Sequence, residues 1–439
     1  MSAALCVNEA IVLAAGRATR FWPLGQDRHK SMEAAGSGKP ILHSTLTTLL
    51  SAGIERILLV HRPEDSALIE MIRGDPSLAH TVELIPHGKA EGQGEALLAA
   101  ATRIWSSTVF LVGPEKVTAD QLLGRLKDGG AGMPAALLLT KSISSAPSDY
   151  GIAVCRGARV LRVREKPGRE QSPARGRRIV GAYLLHRSFF AALAHVQAQS
   201  PGHYTFEAAL DLSASLNEVR HLQCDDLETP SLKYPWHLLD IHQFLLRRDV
   251  RRAIHPSARI HPTAVIEGDV RIEEGVEILA HAVIKGPCAI GRNAIIGDHS
   301  LIRGGCLIGP DSIVGAFTEL KASIIGEGAR THGNCVLDSI IARGANIGAG
   351  TVTANRRLDG GPVRSTVGTD RIDALRTHLG TIIGPEASIG INVAIAPGVK
   401  IGTRAVIGMG SAIHRDVPDD TLIFFDQAHG ELRQQHRPA

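Results

Sequence analysis

The apolar run 11–15 ends at Gly16, and Arg17-Ala18-Thr19-Arg20-Phe21-Trp22-Pro23-Leu24 follows, with His29-Lys30 soon after. In open α/β sheets, ligands bind beyond the carboxyl ends of strands. Gly16 there lets the backbone approach a phosphate or a base, and Arg20 and Lys30 supply charge to hold a triphosphate and to stabilise phosphorus in transfer. Taken alone, one glycine turn with two basic residues reads as a structural loop. A second gathering of polar groups lies at 316–359, around Thr331-His332-Gly333-Asn334. The six cysteines, Cys6, Cys155, Cys224, Cys288, Cys306 and Cys335, show no C-x-x-C spacing. A zinc site or disulfide framework is therefore not expected, and a reducing cytoplasm is.

Two kinds of element must position these groups. From Ile254 every sixth residue is a branched aliphatic: Ile254, Ile260, Ile266, Ile272, Ile278, Ile284, Ile290, Ile296, Ile302, Ile308, Val314 and Leu320. Four residues after each stands a small or β-branched residue, among them Ala258, Ala264, Ala282, Cys288, Ala294 and Cys306. The register returns at Ile383, Ile389, Ile395, Ile401, Ile407 and Ile413. Neither a helix nor an alternating strand repeats every six residues. A coil of three short parallel strands per turn does, with each aliphatic stacked on its copies above and below. The spacing predicts a parallel β-helix, and 316–359 is where its strict period breaks.

The first half differs. Short apolar runs at 11–15, 57–60 and 109–112 alternate with helix-like stretches at 41–52 and 94–104, which predicts an α/β domain with a mainly parallel sheet. The stretch 234–248 (YPWHLLDIHQFLLRR) reads as one amphipathic helix joining the halves, so the expected domains are 1–248 and 249–439. A balance of 48 Lys+Arg against 44 Asp+Glu excludes a strongly basic nucleic-acid binder as the default, and no apolar run is long enough to span a bilayer.

The string LAAGRATRFWPL, then HKSM, then GKPILHSTLTTLLSAGIERILLV resembles the opening of sugar-1-phosphate nucleotidylyltransferases, and GQGEALLAA, Tyr150-Gly151, Glu165-Lys166-Pro167, Gly181-Ala182-Tyr183 and YPWHLLDIH agree. The resemblance implies a Rossmann-like nucleotidyltransferase domain in which a sugar 1-phosphate attacks a nucleoside triphosphate, with Mg2+ and loss of pyrophosphate. It places Arg20 and Lys30 on the phosphates, Gln93 and Gly94 near the base, and Glu165 and Lys166 near the sugar. Two family metal ligands are missing. Gly113-Pro114-Glu115-Lys116 stands where a Gly-Asp pair is expected, and Pro230-Ser231-Leu232-Lys233 where a second Asp or Asn is. Glu115 is the candidate substitute ligand, although Lys116 would repel the ion, and Asp225 and Asp226 are the alternatives. Retained activity and a fold whose activity is lost or redirected both stand at this point.

The broken-period segment resembles the acetyltransferase domain of bifunctional glucosamine-1-phosphate acetyltransferase/N-acetylglucosamine-1-phosphate uridylyltransferases. GINVAIAPGVKIG and AIHRDVPDDT make the archaeal form of the family the nearer match. The resemblance implies a left-handed β-helix, a homotrimer, and acyl transfer from acetyl-CoA to the amine of an amino sugar 1-phosphate. The attacking amine must lose a proton, which a histidine with its ordinary pKa of ~6.5 is suited to take. His332 matches the family base, Arg303 and Lys321 the cations on the sugar phosphate, and Asn346 and Asn355 the amides that orient amine or acyl group. His255, His261, His281 and His299 read as solvated positions on the coil. Cys335, Arg356 and Gly361 replace two tyrosines and a lysine of the family, with Arg364 a compensating cation. Two other functions remain open: a nucleotidylyltransferase for an unusual sugar or cyclitol phosphate with a purely structural β-helix, and a non-catalytic, sugar-nucleotide-binding assembly subunit.

Overall fold

In the first half, continuous apolar runs are what a sheet covered on both faces demands, and the structure uses them that way. The computed structural model describes residues 5–88, 92–129, 132–143, 150–167, 176–426 and 431–436. Glu9–Ala14 lies parallel to Arg56–His61 on one side and to Thr108–Val112 on the other. Val82–Pro86 extends the sheet beyond Arg56–His61. Past Thr108–Val112 the order continues with Gly176–His186, Ala136–Lys141, Val219–Gln223, Arg159–Arg164 and Ile152–Arg156. Gly176–His186 runs antiparallel to both of its main neighbours. The nine strands thus form a mixed sheet, parallel around Glu9–Ala14. The expected helices are present as Ile41–Ser51 and Gln93–Ala101, and the core gathers Ile11, Leu58, Val60, Leu111, Leu138, Leu185 and Phe206. This is a Rossmann-like nucleotidyltransferase fold.

The second half is a left-handed parallel β-helix with three ladders. Ile254 pairs with Ile272, Ile272 with Ile290, and Ile290 with Ile308, so each coil advances 18 residues. The second ladder carries Ile260, Ile278, Ile296 and Val314, and the third Ile266, Ile284, Ile302 and Leu320. From Ile260 onward their side chains form one continuous core with the small residues at the corners, while Ile254, on the first coil, stays exposed. The coil then shortens: Ile308 pairs with Ile325 and Ile325 with Ile341. Ile341 next pairs with Ile383, because the chain leaves the coil and returns through a hairpin of Arg364–Val367 and Asp370–Asp373. The 18-residue spacing resumes from Ile383 to Ile401. Irregularity in the sequence period is thus irregularity in the coil.

The chain divides into two compact units, one of Met1–Arg17 and Ile41–Thr229, the other of Ala18–Pro40 and Pro230–Ala439. The linking helix, His237–Asp249, falls in the second of these units. The reason is local chemistry. Its buried His242 accepts a hydrogen bond at Nδ1 from the Gly36 N–H at 3.0 Å and contacts the Gly305 carbonyl through Nε2 at 3.2 Å. Trp22 Nε1 donates to Asp419 at 3.0 Å, and Gln26 Nε2 to the same carboxylate at 2.8 Å. These contacts assign 18–40 to the second unit. Among the described residues, no helix is long and apolar enough to cross a membrane.

Candidate functional site

Polar groups on a β-helix stand where the coil turns outward. Arg303 follows the third-ladder strand Leu301–Ile302, Lys321 ends the strand Glu319–Lys321, and Asn355 stands just beyond Val352–Thr353, all at the corner leading to the first ladder. Lys321 Nζ reaches Asp338 Oδ2 at 3.0 Å, and Asn355 Nδ2 donates to the same oxygen at 2.6 Å. Asp338 is buried, its side chain 6% exposed, and adopts a left-handed backbone with φ of 48°. Arg303 Nη1 pairs with Glu319 at 2.9 Å on the same ladder. The structure thus brings Lys321 and Asn355 together, with Arg303 on the same corner column. Asp338, which joins the first two, was not among the candidates.

His332 and Asn346 lie elsewhere on the coil. His332 follows the second-ladder strand Arg330–Thr331, and Asn346 opens the next strand of that ladder, paired with Arg330. Both are exposed. Asn334 shapes the turn by accepting from the His332 N–H at 2.5 Å and donating Nδ2 to the carbonyls of Gly348 and Thr351. Below it, His281, His299 and Phe317 form an exposed stack with ring centroids 4.8 and 5.2 Å apart. The two histidines are solvated, as expected, and also stacked. The next rung is Gly333, beside His332, so no ring continues the column there. The width of the third face separates this group from the Lys321 corner, roughly 15 Å of extended chain. Cys335 is half-buried, and burial pushes its thiol pKa up, which suits a small packing residue better than a nucleophile.

In the nucleotidyltransferase fold, Gly16 is exposed, and a side chain there would meet nothing within 4 Å. Gln93 opens the helix Gln93–Ala101. Gly94 packs directly on the Thr205 hydroxyl and the Phe206 amide, so it serves helix packing. Glu165 and Lys166 form an ion pair at 3.0 Å, and the ammonium lies 5.1 Å from the Tyr204 ring centroid. Glu207, absent from the sequence reading, joins them electrostatically. Burial, reinforced by Glu165, raises its carboxyl pKa to about 7, and its buried Oε2 has no hydrogen-bond partner among the described residues. Tyr183, near the same carboxylates, is raised too, first by burial. Arg20 and Lys30 belong to the second unit, where Arg20 is exposed and Lys30 Nζ donates to the Leu232 carbonyl at 2.7 Å.

The donor set does not fit Mg2+. Glu115 Oε1 faces Lys116 Nζ at 3.5 Å, both side chains largely buried, so its charge is already balanced. Asp225 accepts from the Ser142 amide and pairs with Arg177, and Asp226 pairs with Arg125 at 2.6 Å. These contacts hold both carboxyls below the usual range: the Ser142 amide leads for Asp225, and Arg125 for Asp226. Among the described residues, no group of three or more His, Cys, Asp or Glu side chains could hold a metal. The expected substitute ligands are engaged by cations instead.

Comparison with known proteins adds three family matches: nucleotidyl transferase over residues 9–225, the GMPPB C-terminal domain over 250–342, and bacterial transferase hexapeptide (six repeats) over 380–415. The bifunctional protein GlmU of Methanococcus maripaludis strain C7 is 34% identical over 418 residues, covering 95% of this chain and 97% of that protein. The bifunctional sugar-1-phosphate nucleotidylyltransferase/acetyltransferase of Sulfurisphaera tokodaii is 30% identical, covering 93% and 98%. Among solved structures, a putative glucose-1-phosphate thymidylyltransferase from Bacillus anthracis aligns with a TM-score of 0.47 at 15% identity, covering 56% of this chain and 97% of its own.

Proposed function

Because the chain belongs to the bifunctional GlmU family of sugar-1-phosphate nucleotidylyltransferase/acetyltransferases, we propose that it N-acetylates an amino sugar 1-phosphate with acetyl-CoA. The protein is a transferase of nucleotide-sugar metabolism, with nucleoside triphosphate and acetyl-CoA as co-substrates. We assign nucleotidyl chemistry to 1–248 and acyl chemistry to 249–439. In the acyl step, the substrate amine attacks the thioester carbonyl, a C–N bond forms, and the C–S bond to coenzyme A breaks. His332 takes the amine proton, Arg303 and Lys321 hold the phosphate, and Asn346 and Asn355 orient amine and acyl group. The convergence of Lys321 and Asn355 on Asp338 carries this reading, since it sets a cation beside a fixed amide.

A homotrimer follows from the same reading. His332 and Asn346 on one side, and Arg303, Lys321 and Asn355 on the other, stand roughly a strand's length apart in one chain. A neighbouring copy brings one set against the other. The six unpaired cysteines suit a reducing cytoplasm.

For the nucleotidyl half we propose that Arg20, Lys30, Gly16, Gln93 and Gly94 serve the nucleotide, and Glu165 and Lys166 the sugar, with slow turnover. The balanced Glu115–Lys116 pair favours this second reading, and no step is routed through a metal ion. Product analysis by mass spectrometry, with acetyl-CoA, triphosphates and a panel of sugar 1-phosphates, tests both halves. Acetylated amino sugar phosphate is the expected product. Its absence with every amino sugar offered would overturn the acyltransferase assignment.

A further inference from the structure

Lys321, Asp338 and Asn355 are spaced 17 residues apart on successive coils at a single corner, Asp338 standing one position beyond Leu337, the ladder partner of Lys321. Asp338 is the middle rung and the only buried one. A buried carboxylate must be paired and hydrogen-bonded, and here one oxygen, Oδ2, receives both Lys321 Nζ and Asn355 Nδ2. Two consequences follow. Among the described residues the Lys321 ammonium is tethered through one of its three protons, leaving the others for a ligand. The Asn355 amide is fixed in one sense: its NH2 is turned inward to the carboxylate, so its carbonyl oxygen is turned away from it. An asparagine unrestrained at this corner would present either end.

The same rung also anchors the chain's excursion. The Gly380 N–H donates to the Asp338 carbonyl at 2.8 Å, and the Leu379 N–H to the Asn355 carbonyl at 2.8 Å, where the 356–378 segment returns. Asp338 therefore stands between the two groups that would meet the ligand and the backbone that carries one of them.

We propose that Asp338 is a positioning residue that sets the polarity of this corner, presenting an ammonium next to a carbonyl acceptor, and so selects a ligand in which an anionic group neighbours an N–H donor. The inference rests on the amino sugar 1-phosphate reading above and adds the residue that enforces it. Asp338→Asn is nearly isosteric, but with its oxygen at the Oδ2 position it accepts from Lys321 and Asn355 without the carboxylate's charge, and with its NH2 there it faces two donors. In either sense the hold on both groups weakens and the Asn355 amide is no longer fixed with its carbonyl towards the ligand.

The test uses the full-length protein and calorimetric titration of glucosamine 1-phosphate, read against Lys321→Met to isolate the heat belonging to this corner. The titration does not depend on turnover. Asp338→Asn is expected to weaken that binding about 10- to 100-fold. Acetyl-CoA affinity should stay within about twofold and the melting temperature should be nearly unchanged, the separation that a merely structural role would not give. In acetyl-transfer assays the loss should fall on the sugar-phosphate KM, with kcat little changed. Equal binding by wild type and Asp338→Asn overturns the proposal. So does a loss of both ligands together with melting, or wild-type binding no different from Lys321→Met. If wild type binds through this corner and Asp338→Asn does not, yet no acetyl group is transferred, the acetyltransferase reading falls and the role of Asp338 stands.

Discussion

His242 accepts a hydrogen bond at Nδ1 from the Gly36 backbone N–H, an arrangement open only to the neutral imidazole. Nε2 then donates to the Gly305 carbonyl at 3.2 Å. Full burial lowers the His242 pKa to about 4, with the Gly305 carbonyl opposing that shift. The unfolded histidine binds its proton near pH 6.5 and the folded one does not, so stability is intact above 6.5 and is lost as pH falls towards 4. The loss amounts to about 3 kcal/mol across that window. Chemical denaturation of wild type and His242→Gln between pH 4 and 8 checks this. The wild-type curve should fall more steeply with acid than that of the variant, and parallel curves would count against the assignment.

Glu207 titrates with the opposite sign. Its folded pKa of about 7 lies above the ordinary carboxyl value, chiefly through burial, so the folded state holds a proton that the unfolded state has released. Stability from this group is present below pH 4.5 and declines as pH rises to 7. Glu207→Gln should therefore gain about 3 kcal/mol over wild type at pH 8 and nothing at pH 4. Denaturation midpoints at the two pH values decide it, and equal differences at both would sink the idea.

The six-residue period made the β-helix legible because the aliphatics from Ile260 to Leu320 pack into one core and each must match its neighbour one coil away. The α/β fold was legible in the buried runs at 57–60 and 109–112, which flank Glu9–Ala14 on either side in one sheet. Asp338 was not, since it lies where the coil contracts and the period no longer identifies its neighbours. A search for polar residues 17 apart would have found it, with Lys321 before and Asn355 after. The close packing of Gly94 on Thr205 and Phe206 was not legible either, since those residues lie more than a hundred positions away. The place of 18–40 in the second unit was equally hidden. It hangs on Gly36 meeting His242 and Trp22 meeting Asp419, pairs that no local pattern links.

His332 is exposed at its corner, and the hydrogen bonds of that turn come from its backbone and from Asn334. Removing the imidazole should therefore cost rate and not fold. His332→Ala is expected to lower acetyl transfer by ~10²–10⁴-fold while the melting temperature and oligomeric state match wild type. Steady-state assays beside light scattering measure both. Full activity in the variant would mean that another group takes the proton.

Glu115 and Lys116 are balanced against each other in a largely buried setting, so a divalent cation would have to displace the ammonium to use that carboxylate. Asp225 and Asp226 are held by Arg177 and Arg125, which leaves them no better placed. Weak pyrophosphate release with glucose 1-phosphate or N-acetylglucosamine 1-phosphate is the expected result for wild type with added Mg2+. Lys116→Met removes the ammonium from beside the Glu115 carboxylate while keeping a long apolar stem in the packing. If charge balance is what limits the site, that variant should release pyrophosphate faster than wild type, and Glu115→Ala should be no faster. Ion binding gives a separate readout, since Lys116→Met should bind Mn2+ more tightly in a titration without substrate. Robust wild-type turnover that collapses in Glu115→Ala would instead make Glu115 a working ligand despite its partner. Robust turnover untouched by Glu115→Ala would move the search to Asp225 and Asp226.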